Sequence, residues 1–117
     1  MAFKFENLLI WQRTLDLTIQ INDIVKSFPK FELFNLSSQI RRAADSVVLN
    51  IAEGCTGQSN LEFRKFLRYS LRSAIEVVSC LFIAKKKGYV NKDQFEKYYS
   101  EYETLCKMLN KFIIQLN

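Results

Sequence analysis

Histidine is absent from the sequence, which excludes histidine general bases, catalytic triads and histidine metal sites. Proline occurs once and glycine three times in 117 residues. That is too few breakers for a sandwich or barrel, whose strands need a turn about every 8–12 residues. Cysteine is scarce too: Cys55, Cys80 and Cys106 are widely spaced, odd in number and free of any C-x-x-C pair. They read as reduced thiols acting as small apolar side chains in a cytosolic protein. No long hydrophobic run exists either. The uncharged stretch Val77 to Ala84 is among the longest and falls far short of the ~20 residues that span a bilayer. The opening MAFKFENLL carries Glu6 and lacks the apolar core of a signal peptide. These absences predict a cytoplasmic chain with no membrane partner. At this length one domain over 1–117 is expected, able to bury about two thirds of its unfolded surface.

Helical periodicity fills the chain in four segments. The first spans about 9–27, with Ile10, Leu17, Ile21, Ile24 and Phe28 on one stripe and Trp11, Leu15 and Val25 beside it. Pro29 ends it, because the residue before proline avoids helical geometry. The second spans 37–54, with Ser37 as N-cap, Gly54 as a left-handed C-terminal cap, and Leu36, Ile40, Ala44, Val47 and Ile51 facing inward. The third spans 60–87. It opens on the capping box Ser59-x-x-Glu62 and carries a seam of Phe63, Leu67, Ser70, Ala74, Val77, Leu81 and Ala84. The fourth spans 92–115, capped by Asn91, with Phe95, Tyr98, Tyr102, Leu105, Leu109, Phe112 and Leu116 three and four apart. Short connections between long helices make neighbours antiparallel, so the expected fold is an all-α, up-down-up-down four-helix bundle.

The net charge of +5 is concentrated in one segment. The first and last parts of the chain balance their charges, whereas the third helix and its exit hold Arg64, Lys65, Arg68, Arg72, Lys85, Lys86 and Lys87 against Glu62 and Glu76. At 100° per residue, Arg64, Lys65, Arg68, Arg72 and Lys86 fall within about 100° of arc. From Arg64 to Lys86 the rise is roughly 33 Å, close to one turn of duplex DNA. A solvated helix face is the ordinary alternative. Against it, Arg64, Arg68 and Arg72 repeat like charges at i and i+4, which repel by a few tenths of a kcal/mol per pair. An external anion, or a carboxylate from a neighbour, would relieve that repulsion. The Lys85–Lys87 run sits where the helix dipole favours cations in any case.

On the second helix Arg42, Ser46, Asn50 and Glu53 share about 80° of arc opposite the core stripe. One carboxylate without histidine does not make a metal site. The alternatives are a solvated face and a hydrogen-bonded seam against another subunit. Glu53, an anion in a last helical turn, calls for an arginine from another helix or subunit. No cysteine has a plausible base partner, and no reaction centre assembles, so no cofactor and no enzymatic activity are expected. Tyr98, Tyr99 and Tyr102 sit at core or interface spacing. Phe66, Ile75, Val78 and Phe82 on the third helix, with Tyr99 and Ile113 on the fourth, exceed what one central stripe can bury and predict a homo-oligomer.

The run Leu36-Ser37-Ser38-Gln39-Ile40-Arg41-Arg42-Ala43-Ala44-Asp45-Ser46-Val47, continuing into Asn50-Ile51-Ala52-Glu53-Gly54, resembles the signature of the four-helix bundle proteins encoded in intervening sequences of 23S ribosomal RNA genes. Ser59-x-x-Glu62-Phe63, Phe66-Leu67, Ser73-x-x-Glu76, Leu9-Ile10-Trp11-Gln12 and Lys87-Gly88-Tyr89-Val90 extend the likeness over nearly the whole chain. That family includes accessory variability proteins of diversity-generating retroelements. The resemblance therefore implies a homopentamer with a basic, nucleic-acid-binding surface, and a reverse transcriptase as a possible partner. Val48 stands where the family usually has proline, Gly57 where an arginine is common and Arg72 where a small residue is common. The leading expectation is a non-enzymatic protein contacting RNA or DNA backbone through Arg64, Lys65, Arg68, Arg72 and Lys86. The alternative is a protein-partner scaffold.

Overall fold

Every element follows from a stripe of apolar residues and a device that ends it. In the computed structural model, which describes residues 2–116, the chain folds into four α-helices with short 3-10 turns at Lys4–Asn7 and Lys30–Glu32. The helices are α1 (Leu9–Val25), α2 (Leu36–Cys55), α3 (Asn60–Lys86) and α4 (Lys92–Gln115), and no strand occurs among the described residues. They pack as a four-helix bundle of 43 × 24 × 21 Å. Helix α1 ends two residues earlier than the pattern predicts. The amides of Lys26, Ser27 and Phe28 bond back three residues, to Asp23, Ile24 and Val25, so the last turn tightens before Pro29.

The whole α3 seam, Phe63 through Ala84, is buried, and Leu67, Ala74, Val77, Leu81 and Ala84 are fully enclosed. Phe95, Tyr98, Tyr102, Leu105 and Leu109 of α4 meet it. Beyond them the α4 pattern shifts: Phe112 is half-buried and Ile113, expected outside, goes into the core at 8% exposure. The regular α-helix drifts away from a strict heptad, which exchanges the two positions near the end. Contacts between α2 and α3 pair Gly54 with Phe66, Val47 with Ser70 and Ser46 with Ser73. Those between α3 and α4 pair Arg64 with Leu116, Phe63 with Phe112 and Phe82 with Phe95. In both pairs residue numbers rise along one helix as they fall along the other. Helix α1 is tied to α2 by Thr18 donating to Asp45 at 2.7 Å and to α4 by the Arg13–Glu101 ion pair at 3.2 Å.

Two of the predicted caps of α2 act differently. Helix α2 runs through Gly54 to Cys55, and among the described residues the only one with positive φ is Gly88 (φ 80°). A Cβ on Gly54 would lie 2.6 Å from the Cβ of Phe66. Glycine is needed there for the close approach of two helices and not for chain reversal. The left-handed cap belongs to Gly88, where the Tyr89 amide bonds the Ala84 carbonyl and the Gly88 amide bonds that of Lys85, closing α3. Ser37 is buried inside the first turn of α2 instead of capping it. The acceptor at that end is Glu32, whose carboxylate takes the Leu36 amide at 3.4 Å and the Asn35 side chain at 3.1 Å. At α3 half of the expected box forms, Ser59 accepting from the Glu62 amide while the Glu62 carboxylate lies toward Lys65; at α4 Asn91 and Gln94 complete a reciprocal box.

Glu32 is only 3% exposed, and its other oxygen accepts from Lys87 Nζ at 2.9 Å and Tyr89 OH at 2.7 Å. One carboxylate thus joins the α1–α2 connection, the start of α2 and the α3–α4 turn. The hydrogen bond from Lys87, then that from Tyr89, hold its carboxyl well below the ordinary 4.5, at about 2. A carboxyl whose folded value lies below its unfolded one stabilises the fold above the unfolded value, and that contribution is lost as pH falls through the folded one.

Two predictions follow from these contacts. Gly54→Ala should lower stability by roughly 1–3 kcal/mol, although alanine is the better helix former, because the added methyl must push α3 away. A reduced urea midpoint at unchanged slope is the expected reading. The wild type should lose part of its stability between pH 4.5 and about 2, and Glu32→Gln should melt lower at neutral pH and show a flatter profile across that window. A Glu32→Gln melting curve that followed the wild type at every pH would contradict the role given to this carboxylate.

Candidate nucleic-acid interface

The buried seam of α3 leaves its opposite side facing out along the full helix. Near the N-terminus that side carries the cations, each in a different setting. Arg64 is half-buried and donates to the backbone carbonyl of Leu116, so one of its five donors satisfies a carbonyl just past the end of α4. Lys65 lies 3.9 Å from the Glu62 carboxylate and 5.4 Å from the centroid of the Phe66 ring. Arg68 and Arg72 are exposed and have neither an ion-pair nor a hydrogen-bond partner among the described residues. Lys86 is likewise exposed and unpaired, but it stands about 21 Å further along the axis than Arg72.

Between Arg72 and Lys86 the exposed positions are Ile75, Glu76, Ser79, Phe82, Ile83 and Lys85, with no cation before Lys85, and Ile75 is 57% exposed. The stripe is therefore a compact cluster of about 12 Å from Arg64 to Arg72, an apolar stretch, and a lysine run at the far end. Within that run Lys87 serves Glu32, and Lys85 covers the Phe95 ring at 4.4 Å. The apolar stretch continues onto α4 through Phe82, whose ring meets Phe95 at 4.9 Å and Tyr99 at 6.1 Å.

The polar set on α2 comes together in part. Asn50 Nδ2 donates to both the carbonyl and the hydroxyl of Ser46 at 2.9 Å. Ser73 of α3 donates to the same hydroxyl at 2.9 Å, so Ser46 is the junction between helices. The side chains of Arg42 and Glu53 stay exposed and unpaired among the described residues, and no described arginine reaches the Glu53 carboxylate. Arg42 lines an open hollow of about 300 Å³ with Gln39, Ala43, Ser46, Ser73 and Glu76. A neighbouring one of about 290 Å³ shares Gln39, Arg42 and Glu76 and reaches Phe34. The residues overlooked at the sequence level are Gln39, Ser73 and Glu76. The i, i+3 spacing of Ser73 and Glu76 put them on one face, but only the packing angle of α3 on α2 shows that this face meets Ser46.

The thiols are held in the protonated form. Burial pushes Cys55 and Cys106 above the ordinary thiol range and Cys80 to about 11, with Glu76 adding to the last. No cluster of His, Cys, Asp and Glu able to hold a metal occurs among the described residues. No described helix is long and apolar enough to cross a membrane.

A sequence model described as 23S rRNA-intervening sequence protein matches residues 6–111 of this chain. The chain belongs to that family. The match takes in the Leu36–Gly54 signature, the Ser46–Ser73 junction and the basic cluster of α3 alike. No curated protein matches. A crystal structure of a protein of unknown function from the S23 ribosomal protein family of Bacteroides thetaiotaomicron is similar to this one with a TM-score of 0.84. The two are 24% identical, and the match covers 90% of this chain and 98% of the other. That likeness establishes a shared fold.

Proposed function

We propose that this member of the 23S rRNA-intervening sequence family is a non-enzymatic, homo-oligomeric protein that binds nucleic acid through backbone phosphates on the outer face of α3. The observation that carries this reading is the pair Arg68 and Arg72, one turn apart, exposed and without partners among the described residues. Two like charges in that arrangement repel unless an anion sits between them. Lys65 and the remaining donors of Arg64 enlarge the same patch, and Lys86 adds charge at the far end. The exposed Ile75, Phe82 and Tyr99 support self-association, since a lone bundle this small gains nothing from keeping them in water. Five subunits is the preferred number on the strength of the family resemblance. A second reading, a scaffold docking a protein such as a reverse transcriptase, draws on the mixed-sign hollow of Arg42 and Glu76, which suits a polar protein seam.

Arg64 has a structural bond to Leu116, so the decisive variant is Arg68→Gln with Arg72→Gln. Each phosphate contact contributes about −0.9 to the log–log salt slope on duplex and about −0.7 on single strands. The double variant should flatten the slope by roughly one and a half to two units per chain, with little dependence on base sequence. Equal affinities and slopes for variant and wild type would shift the assignment to the scaffold reading. Light scattering should return a multiple of 13.8 kDa at micromolar concentration, and a mass of 13.8 kDa would refute self-association.

A further inference from the structure

The phosphate reading leaves Tyr69 without a role. Its ring stands edge-on to Phe66, with centroids 5.6 Å apart and planes at 84°, and Phe66 is itself pressed against Gly54 of α2. The tyrosine is thereby braced from beneath while 42% of it stays exposed. On the helix surface its neighbours are Lys65, one turn before it, and Arg72, less than one turn after. From these contacts we infer that Tyr69 is a stacking platform for an unpaired base, and that the α3 patch takes single-stranded nucleic acid in preference to duplex. The inference rests on the phosphate reading above and narrows its ligand.

Three features of the surface point the same way. The cations from Arg64 to Arg72 span about 12 Å, the length of three or four stacked nucleotides at ~3.4 Å each. They do not repeat over a duplex turn, because Ile75, Ser79, Phe82 and Ile83 interrupt the charge before Lys86. A duplex hides the faces of its bases, so an exposed ring beside phosphate-binding cations gains contact only with an unpaired strand. The carboxylates nearby set its path. Glu62 is engaged by Lys65, whereas Glu76 faces the α2–α3 hollow and repels phosphate there. The backbone is thus directed along the Arg68 and Arg72 side, with a base over Tyr69.

The test compares the wild type, Tyr69→Leu, Tyr69→Phe and the Arg68/Arg72 double glutamine variant on an oligothymidylate, an oligouridylate and a duplex of equal length. Leucine keeps apolar bulk against Phe66 but has no π face. Tyr69→Leu should weaken single-strand binding roughly 5- to 150-fold while leaving duplex affinity and salt slope unchanged. Tyr69→Phe should bind like the wild type. Wild-type-like single-strand binding by Tyr69→Leu, or a wild-type preference for the duplex, would overturn the inference. If the double variant then still lost affinity, the phosphate reading would stand alone. A wild type that bound none of the three at low salt would overturn both.

Discussion

The close approach of α2 to α3 is the constraint on which the other features depend. It is made possible by small residues at the contact: Gly54, which admits Phe66 where no Cβ fits, and Ser46, Ser70 and Ser73. Ser70 is fully enclosed and bonds the Val47 carbonyl at 2.7 Å, so a buried hydroxyl is satisfied without widening the gap. At this distance the larger polar side chains of the signature have no room inside. Arg42 and Glu53 are turned outward, and Asn50 folds back on Ser46. The pattern that reads as one polar stripe on α2 thus divides into an internal junction and a pair of free charges.

A second contact works at one end of the bundle. Glu32 gathers the amide of Leu36, the side chain of Asn35, the ammonium of Lys87 and the hydroxyl of Tyr89. A buried carboxylate with that many donors is satisfied, each oxygen by two of them, which offsets the cost of taking its charge out of water. Phe28 packs its ring on Tyr89 at 5.4 Å beside it, giving the short connections a core of their own. The flanking Phe31 and Phe34 point into solvent from the same segment. The aromatic connection is therefore packed on one side only.

The basic surface shows how a fold edits a charge pattern. Counted on a helical wheel, the cations of α3 form one array. In the packed bundle Arg64 reaches the end of α4, Lys87 reaches Glu32, and Lys85 covers Phe95. What stays available is Arg68, Arg72, Lys86, part of Lys65 and the remaining donors of Arg64. The exposed apolar stretch between Arg72 and Lys86 separates a polar contact region from one suited to another protein surface.

The sequence by itself determined the number of helices, most of their boundaries and the core. Periodicity is a local property, and Phe63 to Ala84 can lie on one side of an α-helix in no other way. It also determined which residues stay outside, since Arg68 and Arg72 cannot be buried unpaired. What it left open were the roles that depend on a neighbour distant in the chain. Gly54 and Ser37 both read as caps until the partner across the interface is known. Glu32, in a short connection with no periodicity, carried no signal at all. The Ser46–Ser73 junction, the diversion of Arg64 and the bracing of Tyr69 were decided by tertiary packing. Each needs the relative rotation and depth of two helices, a quantity set by the summed shape of many side chains and encoded in no single motif.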